Sequence, residues 1–299
     1  MISAGCICLF LISCQSSPQR ITIGFTGDIL LDRGVRMQMD REGKESFFRS
    51  IQSQIPKFDY LIGNLECPVT EINNPVHKQF VFRGDTSNLP YLKQLGFTHF
   101  TLANNHAYDQ GRSGLIATAE GLSAHQITPL GFGEMLESAC EPIMIEAEGS
   151  TIVLLASVFL PLENWMPLSQ SANVCQADYR ELGEKIREIK YDDPDAVIIV
   201  NLHWGIEHIP EASPDQINKA RYLIEQGADL IIGHHPHVIQ PKEVFKGKEI
   251  YYSLGNFIFD QHQELNRRAL MVKVAIQGKD IQTEEMYYEI RDCKPELKN

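Results

Sequence analysis

The chain has 299 residues, with 27 Lys and Arg against 39 Asp and Glu, a net charge of −12 when histidine is neutral. At 43% hydrophobic and 22% charged it is neither disordered nor fibrous, and it is long enough to bury one large core or two ordinary ones. The acidity excludes a broad face for nucleic acid or anionic membrane, because phosphate binding needs basic surface, yet it leaves room for a small anion held by a local metal or arginine.

Residues 1–14, MISAGCICLFLISC, carry no charged side chain and are too short to span a bilayer as a permanent helix, which fits the apolar stretch of a signal peptide. The run ends in Leu11-Ile12-Ser13-Cys14, which resembles a bacterial lipobox. That resemblance implies removal of residues 1–13 and lipidation of Cys14, with 14–20 as a polar tether to a single domain over 21–299. No Lys or Arg precedes the run, a departure from ordinary signal peptides. Beyond it, Cys67, Cys140, Cys175 and Cys293 are scattered without C-x-x-C spacing, so they form neither a zinc knuckle nor a dense disulfide frame. An oxidising compartment permits one or two bridges, and the sequence leaves their pairing open.

From Ile21 onward short apolar, β-branched runs recur: ITIGFTG, FDYLIGNL, FTHFTLAN, TIVLLASV, AVIIVNLHW, ADLIIGHH, EIYYSLGNF and ALMVKVAI. Several are nearly continuous rather than alternating, as strands covered on both faces should be. Tyr179, Leu182, Ile186 and Ile189 recur at helical spacing, and Arg112 opens a further helix after Asp109-Gln110-Gly111. Ser213-Pro214-Asp215, then Ile217, Ala220, Ile224 and Gly227, reads as a helix capped at both ends. With no repeat and no long linker, a layered α/β domain follows.

Polar residues sit where these runs stop. Gly27-Asp28, Asn64-Leu65-Glu66, Asn104-Asn105-His106, His203-Trp204-Gly205 and Gly233-His234-His235-Pro236-His237 each close one. In a layered α/β fold the carboxyl ends of neighbouring strands meet in one crevice, so carboxylates, a carboxamide and imidazoles from distant parts of the chain gather there. Taken singly, Gly27-Asp28 reads as a turn after a strand rather than a site, and Trp204 and Tyr252 are packing residues. Taken together, oxygen and imidazole donors without thiolate suit one or two divalent metals, Mn²⁺, Fe or Zn²⁺.

The ordered motifs GDILL, GNLECPVT, ANNHAYDQG, NLHWGIEH, GHHPHVIQP and YSLGNFIFD resemble the CapA family of capsule or poly-γ-glutamate synthesis proteins, within the calcineurin-like metallophosphatase superfamily. The resemblance implies an α/β fold of four layers, an αββα sandwich of two packed sheets flanked by helices. It implies Asp28, Glu66, Asn105, His203, His235 and His237 as metal ligands, and His106 as the group that hydrogen-bonds or protonates the leaving atom. His234 ranks below its neighbours, and Glu207 belongs to the pattern without a clear role. Asn256 and Arg83 are the expected substrate contacts, Arg83 alternatively pairing with Asp85 at the surface. One departure stands out: where the superfamily has Asp-x-His, Leu30 follows Asp28 by two.

The function expected from this pattern is a lipid-anchored, extracytoplasmic metal-dependent hydrolase. Its substrate would be a phosphoester or an anionic polymer such as poly-γ-glutamate, beside a membrane synthase or export complex. The alternative is a non-catalytic accessory subunit that keeps the metal site for binding or stability.

Overall fold

The computed structural model describes residues 20–147, 150–163 and 165–298; the expected signal segment and Cys14 lie outside the described residues. The chain opens with β1 (Ile21–Ile29), α1 (Arg33–Glu42), α2 (Lys44–Gln52), β2 (Tyr60–Leu65), α3 (Leu89–Gln94), β3 (His99–Thr101), α4 (Gly111–Ala124) and β4 (Thr128–Leu130). Then follow β5 (Phe132–Gly133), β6 (Ile143–Ala147), β7 (Ser150–Val158), β8 (Asn173–Val174), α5 (Tyr179–Asp192), β9 (Val197–His203), α6 (Pro214–Gln226) and β10 (Leu230–His234). The last strands are β11 (Lys242–Phe245), β12 (Lys248–Tyr251), β13 (Asn256–Ile258), β14 (Arg268–Gln277), β15 (Asp280–Arg291) and β16 (Lys294–Leu297).

Two sheets carry the fold. The larger runs β16-β15-β14-β1-β2-β3-β4, with β13 also paired to β1, and the smaller runs β11-β12-β10-β9-β7-β6. Their stacking follows from side-chain alternation in the strands. In β9, Val197 and Ile199 join the core shared with the larger sheet, whereas Ile198, Val200 and Leu202 face α5 and α6 through Leu182, Ile186, Ala220 and Leu223. A strand apolar on both faces must be covered on both, and each such side chain contributes on the order of 1.5–3 kcal/mol when buried. The helices α1 to α4 bury Val35, Met39, Phe47, Phe48, Leu92, Leu115 and Leu122 in the larger core. The expected four layers are present.

The helix expected from its spacing, α5, and the one expected from its caps, α6, both form. Asp178 and Ser213 each accept from the backbone three residues on, while Glu181 and Gln216 return the bond. Gly227 ends α6 in the left-handed region at φ +118°. The run EIYYSLGNF is divided rather than continuous: β12 lies in the smaller sheet and β13 in the larger, so the chain changes sheets across Tyr252–Gly255. Cys140 and Cys175 form a disulfide, and Cys67 and Cys293 are free and buried. No helix among the described residues is long and apolar enough to cross a membrane.

Two glycines allow the strand ends to approach. A Cβ on Gly27 would lie 2.1 Å from the Gly255 carbonyl oxygen, and one on Gly233 would lie 2.0 Å from that of Tyr252. Gly27 thereby lets Asp28 N donate to Gly255 O at 2.9 Å, seating β13 beside the end of β1. Gly27→Ala should therefore lower unfolding free energy by about 1–3 kcal/mol, as overpacking does. Urea denaturation checks this, and an unchanged midpoint would show that the approach is not tight.

Candidate metal centre

The strand registers bring the polar ends together. Asp28 on β1 is level with Asn64 on β2 and with Asn256 on β13, while His203 on β9 is level with His234 on β10. The two sheets meet at the resulting crevice: His235 N donates to Asp28 Oδ2 at 3.3 Å, across the sheet boundary.

Asp28 and Glu66 are both fully buried. Asn64 joins them, its amide donating to Asp28 Oδ1 at 2.8 Å and also to Glu66 Oε2. Asn104 in turn donates to Asn64 Oδ1 at 3.0 Å and to the Leu65 carbonyl at 2.8 Å. Neither asparagine stood out in the sequence as a positioning group, although both lay inside the motifs. On the other side of Asp28, His234 Nδ1 is 3.3 Å from Oδ1 and His237 Nδ1 is 3.1 Å from Oδ2. His234, ranked below its neighbours on sequence, thus faces the same carboxylate.

Charge at this centre is poorly balanced. Burial, then the Asp28 charge, raises the Glu66 carboxyl to about 8. Burial disfavours a charged His237, but its hydrogen bond to Asp28 and the charges of Asp28, Glu66 and Glu207 outweigh that and hold it near 9. Burial likewise opposes ionisation of Asp28, yet His234 and His237 hold its carboxyl well below the usual range. His203 and His235 are pushed down, first by burial and then by neighbouring histidines, His235 to about 3.

The donors fit a divalent cation. Glu66 Oε1, His203 Nδ1 and His235 Nδ1 are buried without a hydrogen-bond partner, which is costly unless something else satisfies them. Glu66, His203 and His235 each offer a ligand atom within 4.8 Å of the others, and so do Glu207, His235 and His237. Asn105 Oδ1 adjoins this group, 2.8 Å from His203 Nε2.

His106 is oriented by residues behind it. Its Nδ1 lies 2.8 Å from Asp109 Oδ2, and Lys78 Nζ is 2.6 Å from Asp109 Oδ1. A carboxylate engaged by an ammonium accepts from imidazole, so Nδ1 carries the proton and Nε2 is left to the crevice. Lys78 also donates to the Asn105 carbonyl at 2.8 Å and fastens the Asn-His segment. Burial pushes the His106 pKa down, against the hydrogen bond to Asp109.

Two expected substrate contacts have protein partners. Asn256 is fully buried behind His237, accepting from its Nδ1 at 2.9 Å and donating to Gln261 Oε1 at 2.9 Å, so it orients that imidazole. Arg83 is tied in through its backbone, its N–H donating to Asp32 Oδ2 at 2.8 Å, while Asp85 pairs with Lys44 instead. The arginine near the crevice is Arg33. Its guanidinium lies 4.7 Å from the Phe82 ring and 5.8 Å from that of Phe259, and those rings pack on His106 and His237 respectively. Arg33 is itself paired with Asp260. Trp204 packs inside the smaller-sheet core, its Nε1 donating to the Tyr252 carbonyl at 2.9 Å.

The family model described as "Bacterial capsule synthesis protein PGA_cap" matches residues 22–261. The chain is 32% identical over 260 residues to the PGA biosynthesis protein CapA of Bacillus subtilis, covering 86% of this chain and 68% of that protein. It is 30% identical over 254 residues to the capsule biosynthesis protein CapA of Bacillus anthracis, covering 81% and 61%. The chain thus spans about two thirds of the length of these relatives. Among solved structures, a phosphatase from Mycoplasma pneumoniae superposes with a TM-score of 0.53 at 14% identity, covering 91% of this chain and 94% of that one. The NAD nucleotidase of Haemophilus influenzae gives 0.56 at 12% identity, covering 91% and 56%. At these identities the likeness is one of fold.

The raised Glu66 and His237 pKa values fix a sign. Each group binds its proton more tightly in the folded chain, so the stability it contributes is lost as pH rises, through about 8 for Glu66 and about 9 for His237. The depressed His203 and His235 act oppositely, but only as pH falls below their ordinary value of 6.5. Metal-stripped protein should therefore show a Tm that falls between pH 6.5 and 9, with Mn²⁺ raising it most at the alkaline end. A Tm that climbs over this interval in chelator would contradict the charge assignment.

Proposed function

The chain belongs to the bacterial capsule synthesis protein PGA_cap family, and on that footing we propose that it is an extracytoplasmic, lipid-anchored, metal-dependent hydrolase. It would act in the synthesis, export or anchoring of an anionic polymer such as poly-γ-glutamate. One observation carries this reading: buried carboxylate and imidazole atoms from both sheets converge without protein partners, beside a histidine backed by a carboxylate.

Asp28, Glu66, Asn105, His203, His235 and His237 would hold one or two divalent metals. Such a metal, when bound, polarises a phosphoryl or acyl oxygen and acidifies water. The chain's own part is positioning and proton transfer. Asp109 keeps the His106 ring oriented and stabilises it when charged, so that Nε2 can pass a proton to the departing oxygen or nitrogen. Burial, which lowers the His106 pKa, makes the charged ring the stronger acid. Arg33 supplies a guanidinium suited to a phosphate or carboxylate. Poly-γ-glutamate is joined by amides, so the bond cleaved is an amide or a phosphoester.

The disulfide Cys140–Cys175 supports an oxidising compartment, and the lipobox-like Leu11-Ile12-Ser13-Cys14 supports the anchor. A second reading, a non-catalytic accessory subunit of a polymer-exporting membrane complex, is favoured by Leu30. This residue is fully buried in the core where the superfamily pattern places an imidazole.

Purified protein loaded with Mn²⁺, Fe²⁺ or Zn²⁺ should hydrolyse an aryl phosphodiester or shorten poly-γ-glutamate. His106→Ala should lower kcat by roughly 10²–10⁴ with metal content retained. Arg33→Met should chiefly raise KM. Metal-loaded protein inert toward both substrates would favour the accessory reading. In cell fractionation, Cys14→Ala should move the protein out of the membrane fraction; an unaltered distribution would sink the lipid anchor.

A further inference from the structure

The loop after β9 carries a carboxylate toward the centre from outside the strand ends. Gly205 at φ +92° and His208 at φ +63° turn this loop through left-handed conformations. His208 N donates to the Pro236 carbonyl at 2.8 Å, which fastens the loop to the segment bearing His235 and His237. The His208 ring is held in turn, its Nδ1 2.9 Å from Asn266 Nδ2, and the same amide donates to the His237 carbonyl at 2.8 Å. Between these fixed points stands Glu207, with a ligand oxygen within 4.8 Å of ligand nitrogens of both His235 and His237.

Its side chain is 46% exposed, and its one ion-pair contact among the described residues is His208 Nε2 at 3.7 Å, beyond hydrogen-bonding distance. The partner histidines are the reverse: His235 and His237 are 6% and 4% exposed, and His235 Nδ1 is buried without a partner. A buried, unpartnered imidazole next to an accessible carboxylate is an arrangement that a cation completes. Such completion is needed at this centre. The first motif brings Asp28 alone, because Leu30 points its side chain into the core and is fully buried.

We propose that Glu207 is a metal ligand of this chain, joining His235 and His237 on one side of a centre where Leu30 offers no imidazole. The proposal rests on the metal-centre reading above and extends it. Exchanging an imidazole for a carboxylate makes that side harder, in the sense of oxygen-rich, and shifts its preference toward Mn²⁺ relative to Zn²⁺. The other side, with Glu66, His203 and Asn105, keeps its imidazole and carboxamide character.

Metal-stripped full-length protein equilibrated against Mn²⁺, with bound metal counted by mass spectrometry, tests this without reference to catalysis. Glu207→Gln should lose bound Mn²⁺ or weaken its Kd by at least tenfold, whereas Glu207→Asp should retain most of the affinity. Matching far-ultraviolet circular dichroism of the stripped variants keeps misfolding from imitating the result. If wild-type protein binds Mn²⁺ and Glu207→Gln binds the same amount with the same Kd, this assignment is overturned and the metal centre stands. If wild-type protein takes up no divalent metal at all, both readings fall together.

Discussion

Two carboxylates buried side by side, bridged by one amide, set the terms for the rest of this molecule. Asp28 and Glu66 have no exposure to water, and Asn64 donates to both. Like charges at such range in a poorly solvated place repel strongly, and one neutral amide offsets only part of that cost. In the metal-free chain the deficit is met by protons: Glu66 keeps one up to about pH 8 and His237 up to about 9. A divalent cation would replace those protons, and the unpartnered atoms of Glu66, His203 and His235 are the acceptors left over for it. The same residues therefore make the apo centre costly and the loaded centre favourable.

Holding that arrangement requires unusual backbone. His235 at φ +97°, His237 at φ +57° and His208 at φ +63° all occupy the left-handed side, where residues with a Cβ are disfavoured by the order of 1–3 kcal/mol each. Neighbouring hydrogen bonds and close packing offset that cost. Asn256 and Asn266 reach the His237 ring and carbonyl, Pro236 O accepts from His208 N, and the glycines at 27 and 233 remove the Cβ atoms that would wedge the strands apart. Imidazoles aimed by such a turn cannot swing freely. The ring orientations are settled before any ligand arrives, which is the condition for tight and selective coordination.

Much of this is visible in the sequence, for reasons that differ from element to element. Helices α5 and α6 announce themselves because the apolar spacing of the first and the Ser-Pro start and terminal glycine of the second are local chemistry. The motif residues at strand ends are legible because each follows an apolar run. Helix α1 is hard to see, with Val35 and Met39 its only buried residues in a stretch of charged and polar ones. Strand β15 is obscured in another way, since its sequence DIQTEEMYYEIR is nearly as polar as a loop. The division of EIYYSLGNF between two sheets, and the approach of Arg33 to the crevice, depend on how distant segments pack. Arg33 reaches the crevice from a left-handed turn at φ +51° and through stacking on Phe82 and Phe259, none of which has a signature along the chain. Asn64 gains its bridging role only from the register that sets it level with Asp28.

The overall charge of −12 acquires a specific meaning at this crevice. Screening confines the repulsion of exposed acidic groups to roughly 8 Å at physiological salt, so the field an anionic substrate meets is set by the groups lining the opening. In the metal-free chain the charged groups there include Asp28 and Glu207, against a protonated His237 and Arg33, whose charge is already shared with Asp260. An anion has little reason to enter such a site. Each divalent cation bound there reverses two units of that charge, and Glu207, standing half in solvent beside His235 and His237, changes from a repelling group to a coordinated one. On the proposed reading, metal loading and anion binding are linked, because a cation captured by the histidines and carboxylates would also add positive charge where an anionic substrate enters.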